Sequence, residues 1–312
     1  MESLPEETSS SSSTTTSGGG VGCGGAGEKL PIRPPIQSFM YIRQEKKDQL
    51  FFVCMEVVIL ARKIKQEARI VAMDLRGHGK SSTENDLDLS IERLCGDVLA
   101  VIKTMHGDSP PAILLVGHSM GGAVAVHVAA KKVLPSLAGL IVVDVVEGTA
   151  MASLMHMQKL LSNRMQYFPS IEKAIEWSVK GGTLRNIDSA RISIPSTVKY
   201  DDSKKCYVHR ARLMETEQYW RGWYEGLSEK FLSSPVPKIL LLAGTDRLDR
   251  ALTIGQMQGK FQMVLVRHTG HAIQEDVPDE FAITVLNFIS RNRIGPNGVE
   301  IPGLRRPMQS QQ

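Results

Sequence analysis

The chain has 312 residues, 42% of them apolar and 22% charged, and its 37 lysines and arginines against 33 aspartates and glutamates leave a formal net charge of +4. Such a composition belongs to a globular chain with enough apolar surface for a full core, and it excludes a peptide-sized or disulfide-stapled fold. Charges of both signs are interspersed, with no basic block beyond short pairs such as Lys46-Lys47 and Lys131-Lys132, so no nucleic-acid partner is expected.

Residues 1–30 open the chain with 18 Ser, Thr or Gly, too little apolar surface to offset the entropy of ordering them, and read as a disordered tail. They carry Glu2, Glu6 and Glu7 and lack the basic start and apolar stretch of a secretory signal. The longest apolar run, 50–60, has 11 residues and is interrupted by Glu56, well short of the ~18 to 20 a membrane span needs. Strands buried on both faces are expected at 69–75 (RIVAMDL), 112–116 (AILLV), 140–146 (LIVVDVV), 238–242 (KILLL) and 261–266. Helical patterns follow at 91–105, 120–132 and 279–291, the last just after Pro278. Strand and helix in alternation imply a mostly parallel sheet with right-handed crossovers and helices on both faces. Residues 148–234 break that rhythm, being helical and rich in aromatics (Trp177, Tyr219, Trp220, Trp223, Tyr224). They read as an insertion over the carboxyl edge of the sheet, where such folds bind ligands. Residues 31–292 therefore form one α/β domain, and 293–312, without periodicity, a loose tail.

The chemistry sits where AILLV ends. Gly117-His118-Ser119-Met120-Gly121-Gly122 is a G-x-S-x-G turn between a strand and a small-residue helix start, the context of a nucleophile elbow in the α/β-hydrolase fold. A serine hydroxyl is a weak nucleophile and needs a base, which in this fold comes after the last strand. His271, in the loop between the strand 261–266 and the last helix, is placed for that role, and His268 sits nearer the strand end, where packing or capping is expected. His78, His118 and His127 read as hydrogen-bonded structural groups. Two carboxylates satisfy the chain order serine, acid, histidine: Asp144, at the end of the strand after the nucleophile, and Asp246, in AGTDRLD after the strand 238–242. Spacing alone leaves both open. The backbone N–H of Met120, following the nucleophile, is expected to supply one oxyanion donor. The four cysteines, Cys23, Cys54, Cys95 and Cys206, are far apart with no C-x-x-C pair. Neither a metal site nor a disulfide framework is expected, and a reducing compartment, cytoplasm or nucleus, fits best.

Several stretches resemble the protein phosphatase methylesterases: RIVAMDLRGHGKS (69–81), VGHSMGGAVAVHVA (116–129), VVDVVEGTAM (142–151), AIEWSVKGG (174–182), LLLAGTDRLDRALTIGQMQGKFQM (240–263) and GHAIQED (270–276). The resemblance covers most of 69–289. In place of the long acidic insertion that animal members carry before the YW segment (219–220), the chain has only 200–209, which makes it similar to a plant-type member. The resemblance implies an α/β-hydrolase that removes the methyl ester from the C-terminal leucine of the protein phosphatase 2A catalytic subunit, without a cofactor. It implies Ser119 as nucleophile, His271 as general base and Asp144 as orienting acid, with Asp246 the runner-up. Two other readings are a small-molecule carboxylesterase of the same fold, since fold and triad do not set the substrate, and a phosphatase-binding form with impaired chemistry.

The impaired form is suggested by one departure. Upstream of RIVAMDLRGHGKS, family members carry an apolar strand ending in an HGGG-type loop that supplies the other oxyanion donor, and a strand and loop of that kind are not expected from LFFVCMEVVIL (50–60). Phe52-Val53-Cys54-Met55-Glu56-Val57-Val58-Ile59-Leu60 can be written TTT GTC TGC ATG GAG GTG GTT ATT CTG, and a displaced frame of the same letters encodes C-L-H-G-G-G-Y-S. The segment is therefore read as a shifted frame, restored before Lys63. A transcript whose codons here encode the loop in no frame would contradict this reading.

Overall fold

A computed structural model describes residues 39–42, 50–54, 64, 68–244, 248–295 and 298–299, with side chains described for 64, 68–244 and 248–295. In chain order the first elements are β1 (Phe39–Ile42), β2 (Leu50–Cys54), β3 (Arg69–Met73), α1 (Ile91–His106), β4 (Ile113–His118), α2 (Met120–Ala130) and β5 (Leu137–Val143). Then come α3 (Glu147–Ser162), β6 (Tyr167–Phe168), α4 (Ile171–Lys180), α5 (Ile187–Thr197), β7 (Val198–Asp201), β8 (Cys206–His209), α6 (Glu217–Tyr224) and α7 (Leu227–Ser233). The chain ends with β9 (Lys238–Leu242), α8 (Arg250–Met257), β10 (Gln262–Leu265), α9 (Ile273–Asp276), α10 (Pro278–Arg291), β11 (Ile294–Gly295) and β12 (Gly298–Val299).

Side chains along a strand alternate between the two sheet faces, and the strands use this to feed two cores. Val71, Ile113, Leu115, Leu140, Val142, Leu240 and Leu242 join one cluster with α1, α2, α6 and α7. Their neighbours Ile70, Ala72, Leu114, Val116, Ile141, Val143, Ile239 and Leu241 join the other, with Phe281, Val285 and Phe288 of α10. The sheet order is β1-β3-β2-β4-β5-β9-β10. β1 is antiparallel to β3, and the remaining neighbours are parallel.

The expected strands and helices are all present, with shifted ends. β5 stops at Val143 because Asp144 takes a left-handed φ of 51°, which no ladder accommodates. Contrary to expectation, Leu50–Cys54 does form a strand, pairing with both β3 and β4, so the segment that lacks the HGGG run still fills the middle of the sheet. Its apolar, β-branched and aromatic composition accounts for this. Residues 55–60 lie outside the described residues, as does the tail 1–30. In the C-terminal tail, β11 and β12 pair antiparallel.

The segment between β5 and β9 is helical as expected but also holds a small antiparallel sheet, β6-β8-β7, with its own core of Phe168, Ala174, Leu184, Ala190, Ile194 and Val198. Trp220 and Trp223 are part of the main core. Trp223 Nε1 donates to Leu89 O at 2.7 Å and Trp220 Nε1 to Thr216 Oγ1 at 3.2 Å, which satisfies both indoles.

One buried ion pair secures the loop after β3. Arg76 Nε and Nη2 donate to the two oxygens of Asp97 on α1 at 2.6 and 2.7 Å, both residues being almost fully buried. Arg76 Nη1 donates to Asn85 O at 3.1 Å. Removing one partner of such a pair strands a buried charge, at about 3 to 5 kcal/mol. Asp97→Ala is expected to lower the unfolding free energy by that amount, read as a reduced urea midpoint at unchanged slope. A loss below about 1 kcal/mol would equate the pair with an exposed one and contradict this assignment.

Candidate active site

β4 delivers Ser119 through a turn in which side chains have no room. A Cβ on Gly117 would stand 2.2 Å from Gly121 O, and one on Gly122 would stand 2.9 Å from Gly117 O. Ser119 itself has φ 51° and ψ −120°, a strained backbone that the surroundings over-determine. Its N–H donates to Val143 O at 2.9 Å, and its carbonyl accepts from Ala123 N at 3.1 Å. The elbow is thereby tied to the end of β5 and to the first turn of α2. Met120 opens that helix, where the first N–H groups have no intrahelical acceptor and favour negative charge.

Asp144 follows β5 with the second positive φ of the site, 51°. Its N–H donates to Leu241 O at 2.8 Å, and its side chain is fully buried. Oδ1 accepts from Ala243 N at 3.0 Å, and Oδ2 accepts from His271 Nδ1 at 2.7 Å. Because the carboxylate oxygen accepts, the imidazole proton is on Nδ1 and Nε2 is left as the basic nitrogen. The His271 side chain is 54% exposed, so this nitrogen is open to a substrate and to water.

The loop carrying His271 is held by groups that are not reactive themselves. Asp276 Oδ2 accepts from Gly270 N at 2.6 Å, and its Oδ1 accepts from Arg185 N at 2.7 Å. His118, next to Ser119, lies with its ring 4.4 Å from that of His271. Its Nε2 is 2.8 Å from His271 O. Desolvation pushes His118 down to about 3, helped by the neighbouring His271, so the ring is neutral and Nε2–H donates to that carbonyl.

The other histidines behave as structural groups. His127 Nε2 lies 3.2 Å from Trp223 O and His78 Nδ1 lies 2.9 Å from Arg76 O. Burial lowers His78, takes His127 down to about 4 and, together with Arg164, does the same to His209. A histidine whose folded pKa is depressed binds fewer protons folded than unfolded, so stability falls with pH below the unfolded value of 6.5 and levels off near the folded value. Between pH 7.5 and pH 5 the chain is expected to lose roughly 2 kcal/mol or more, read as a lower urea midpoint. A midpoint that stays level or rises would contradict the neutral state of these rings.

Of the residues singled out from sequence, Ser119, Met120, Asp144 and His271 are gathered at the carboxyl end of the sheet. Asp246 lies outside the described residues. His268 occupies a turn at φ 64° and is exposed. Arg76 belongs to the buried pair with Asp97, and Glu147 caps α7, accepting from Gly226 N at 2.8 Å and Ser228 N at 2.9 Å. Sequence reasoning missed Asp276, which orders the histidine loop. It falls within GHAIQED, but nothing in that run marks it as a loop tie.

A cavity of about 250 Å³ opens beside His271, lined by Phe168, Trp177, Ile194, Val198 and His118, with Arg164 and Gln274 as polar groups. Of the three tryptophans of the insertion, Trp177 is the one that lines it. Among the described residues no cluster of three or more His, Cys, Asp and Glu could hold a metal ion. No helix there is long and apolar enough to cross a membrane.

Comparison with known proteins agrees with this geometry. The model of the alpha/beta hydrolase family matches residues 51–284. Protein phosphatase methylesterase 1 of Mus musculus is 48% identical over 268 residues, covering 73% of this chain and 69% of its own length. The relative from Schizosaccharomyces pombe is 45% identical, covering 72% of this chain and 66% of its own length. Among solved structures, E-2-(acetamidomethylene)succinate hydrolase superposes with a TM-score of 0.64 at 21% identity over 78% of this chain and 91% of its own. The chain belongs to the alpha/beta hydrolase family and, within it, to the protein phosphatase methylesterases, which are carboxylic ester hydrolases.

Proposed function

We propose that the chain demethylates the C-terminal leucine methyl ester of the protein phosphatase 2A catalytic subunit, with Ser119 as nucleophile, His271 as general base and Asp144 as the acid that orients it. The observation that carries this reading is the 2.7 Å bond between His271 Nδ1 and the buried Asp144, next to a serine held at a positive φ. His271 Nε2 takes the Ser119 proton as Oγ attacks the ester carbonyl. The negative charge that forms on the carbonyl oxygen is met by the N–H of Met120 and the N-terminus of α2. His271 returns the proton to the departing methoxide, methanol leaves, and a water activated by the same nitrogen hydrolyses the acyl-enzyme. Every proton in this sequence is carried by His271, so no cofactor is required.

The cavity beside His271 is mostly apolar with a few polar groups, the usual make-up of a recognition site, and it suits an apolar C-terminal residue. The proposal extends to a cytoplasmic or nuclear, reducing compartment, supported by the free thiols of Cys95 and Cys206. A fluorophosphonate probe tests the reading. It is expected to label the chain at Ser119, and a short peptide ending in leucine methyl ester is expected to slow that labelling. Labelling at another residue, or a peptide without effect at millimolar concentration, would contradict it.

A further inference from the structure

We infer that Arg164 is a specificity-determining residue of this enzyme: it takes the carboxylate of an acidic side chain a few residues before the esterified C-terminus, so that the substrates are methyl esters of acidic polypeptide tails. The inference deepens the proposed function and rests on it. Arg164 follows the end of α3 and lines both the 250 Å³ cavity beside His271 and an adjoining cavity of about 360 Å³. His209 of β8 lines both as well and holds the guanidinium in place, Arg164 Nη2 lying 3.2 Å from His209 Nδ1. His209 is itself fixed, with Nε2 3.1 Å from Met165 O and its ring edge-on to that of Phe168, the centroids 5.4 Å apart. Because Nε2–H of the neutral ring donates to the Met165 carbonyl, Nδ1 accepts from the guanidinium.

What this arrangement lacks is an anion. Among the described residues Arg164 forms no ion pair with a carboxylate, and Glu275, which lines the first cavity, is not paired with it. Burial lowers the Arg164 pKa, as for a cation moved out of water without a counter-charge. A carboxylate that enters the cavity offsets that desolvation and meets donors in a fixed fork. The reacting carboxyl is not this group, since as a methyl ester it is neutral. The anion therefore belongs to another part of the substrate, and the adjoining cavity indicates which. Besides Arg164 it is lined by Lys199, Lys204 and Arg212 against two acids, Asp201 and Glu215. Asp201 already accepts from Ser203 and from Lys204 N, and Glu215 pairs with Arg212 at 3.3 Å. A polypeptide that leaves the first cavity past Arg164 thus enters surroundings of positive charge, complementary to acidic residues. Arg164 and His271 border one cavity, and an extended chain advances ~3.3 Å per residue, so the residue facing Arg164 is among the first few before the ester.

The test uses N-acetylated peptides ending in leucine methyl ester, each carrying a single Glu, or a single Gln as its neutral counterpart, at successive positions before the leucine in an alanine and serine background. They are assayed with the full chain, Arg164→Gln, Arg164→Lys and Ser119→Ala. At one position or more the parent is expected to turn over the Glu peptide with a kcat/KM at least about tenfold above that of its Gln counterpart, the scale of a hydrogen bond to a charged group, and mostly through KM. Arg164→Gln is expected to bring that ratio to within about twofold of unity, and Arg164→Lys to restore part of it. A role of Arg164 in folding alone would lower both peptides together and leave the ratio unmoved. A parent whose ratio stays below about tenfold at every position overturns the inference whether or not the variants fold, and so does a preference that survives Arg164→Gln. Turnover of 4-nitrophenyl acetate that depends on Ser119, with none of any peptide, would overturn the proposed substrate and this inference with it.

Discussion

Ser119→Ala is expected to lower ester turnover by at least about 10⁴-fold while leaving the fold intact, since the hydroxyl is the only group in the proposed mechanism that can form the acyl-enzyme. The substitution removes one oxygen and leaves the backbone bonds of the elbow in place, namely Ser119 N to Val143 O and Ala123 N to Ser119 O. It also relieves no strain, because alanine pays the same cost at φ 51°. Residual activity over water is expected from the Met120 N–H and from substrate binding, as in other serine hydrolases stripped of their nucleophile. Steady-state turnover and thermal melting measured together check this. A variant retaining more than about a tenth of the parent kcat would require another nucleophile.

Asp144→Asn is expected to be nearly as damaging, on the order of 10⁴-fold in kcat, through the protonation of His271. The oxygen that accepts from Ala243 N at 3.0 Å must remain an acceptor, so the amide nitrogen of the asparagine turns toward His271 Nδ1. That ring nitrogen then has to accept, and the proton moves to Nε2, where the base is needed. The ring stays in position and loses its function. The same substitution at Asp246 is expected to change kcat by less than about tenfold. If the two results are reversed, the orienting acid is Asp246 and the 2.7 Å bond to Asp144 is only structural.

The strands around the site were legible because fully buried parallel strands are runs of β-branched and aliphatic residues bounded by turn residues, as in AILLV before Gly117 and KILLL before Ala243. The elbow was legible for a different reason: its glycines are dictated by contacts that a Cβ would violate. The choice between Asp144 and Asp246 was not, since each follows a buried strand, and a family resemblance rather than spacing favoured Asp144. Segment 50–60 misled in the opposite direction. Its departure from the HGGG pattern suggested a lost strand, yet the ladder requires only an apolar extended segment, and Leu50–Cys54 provides one.

The insertion was read as helical because its strands are two to four residues long, below the length at which alternation registers, and because Tyr200 and Tyr167 face solvent. The tasks of Arg76 and Glu147, a buried pair with Asp97 and a cap on α7, depend on partners distant in the chain and are not marked in the sequence.

The most direct measurement of the central claim is methanol release from carboxymethylated protein phosphatase 2A by the purified 312-residue chain, with Ser119→Ala alongside. The account predicts methanol in proportion to the demethylated leucine formed, and none from the variant above the uncatalysed rate. Absence of release by a folded parent chain, or equal release by the variant, would contradict it.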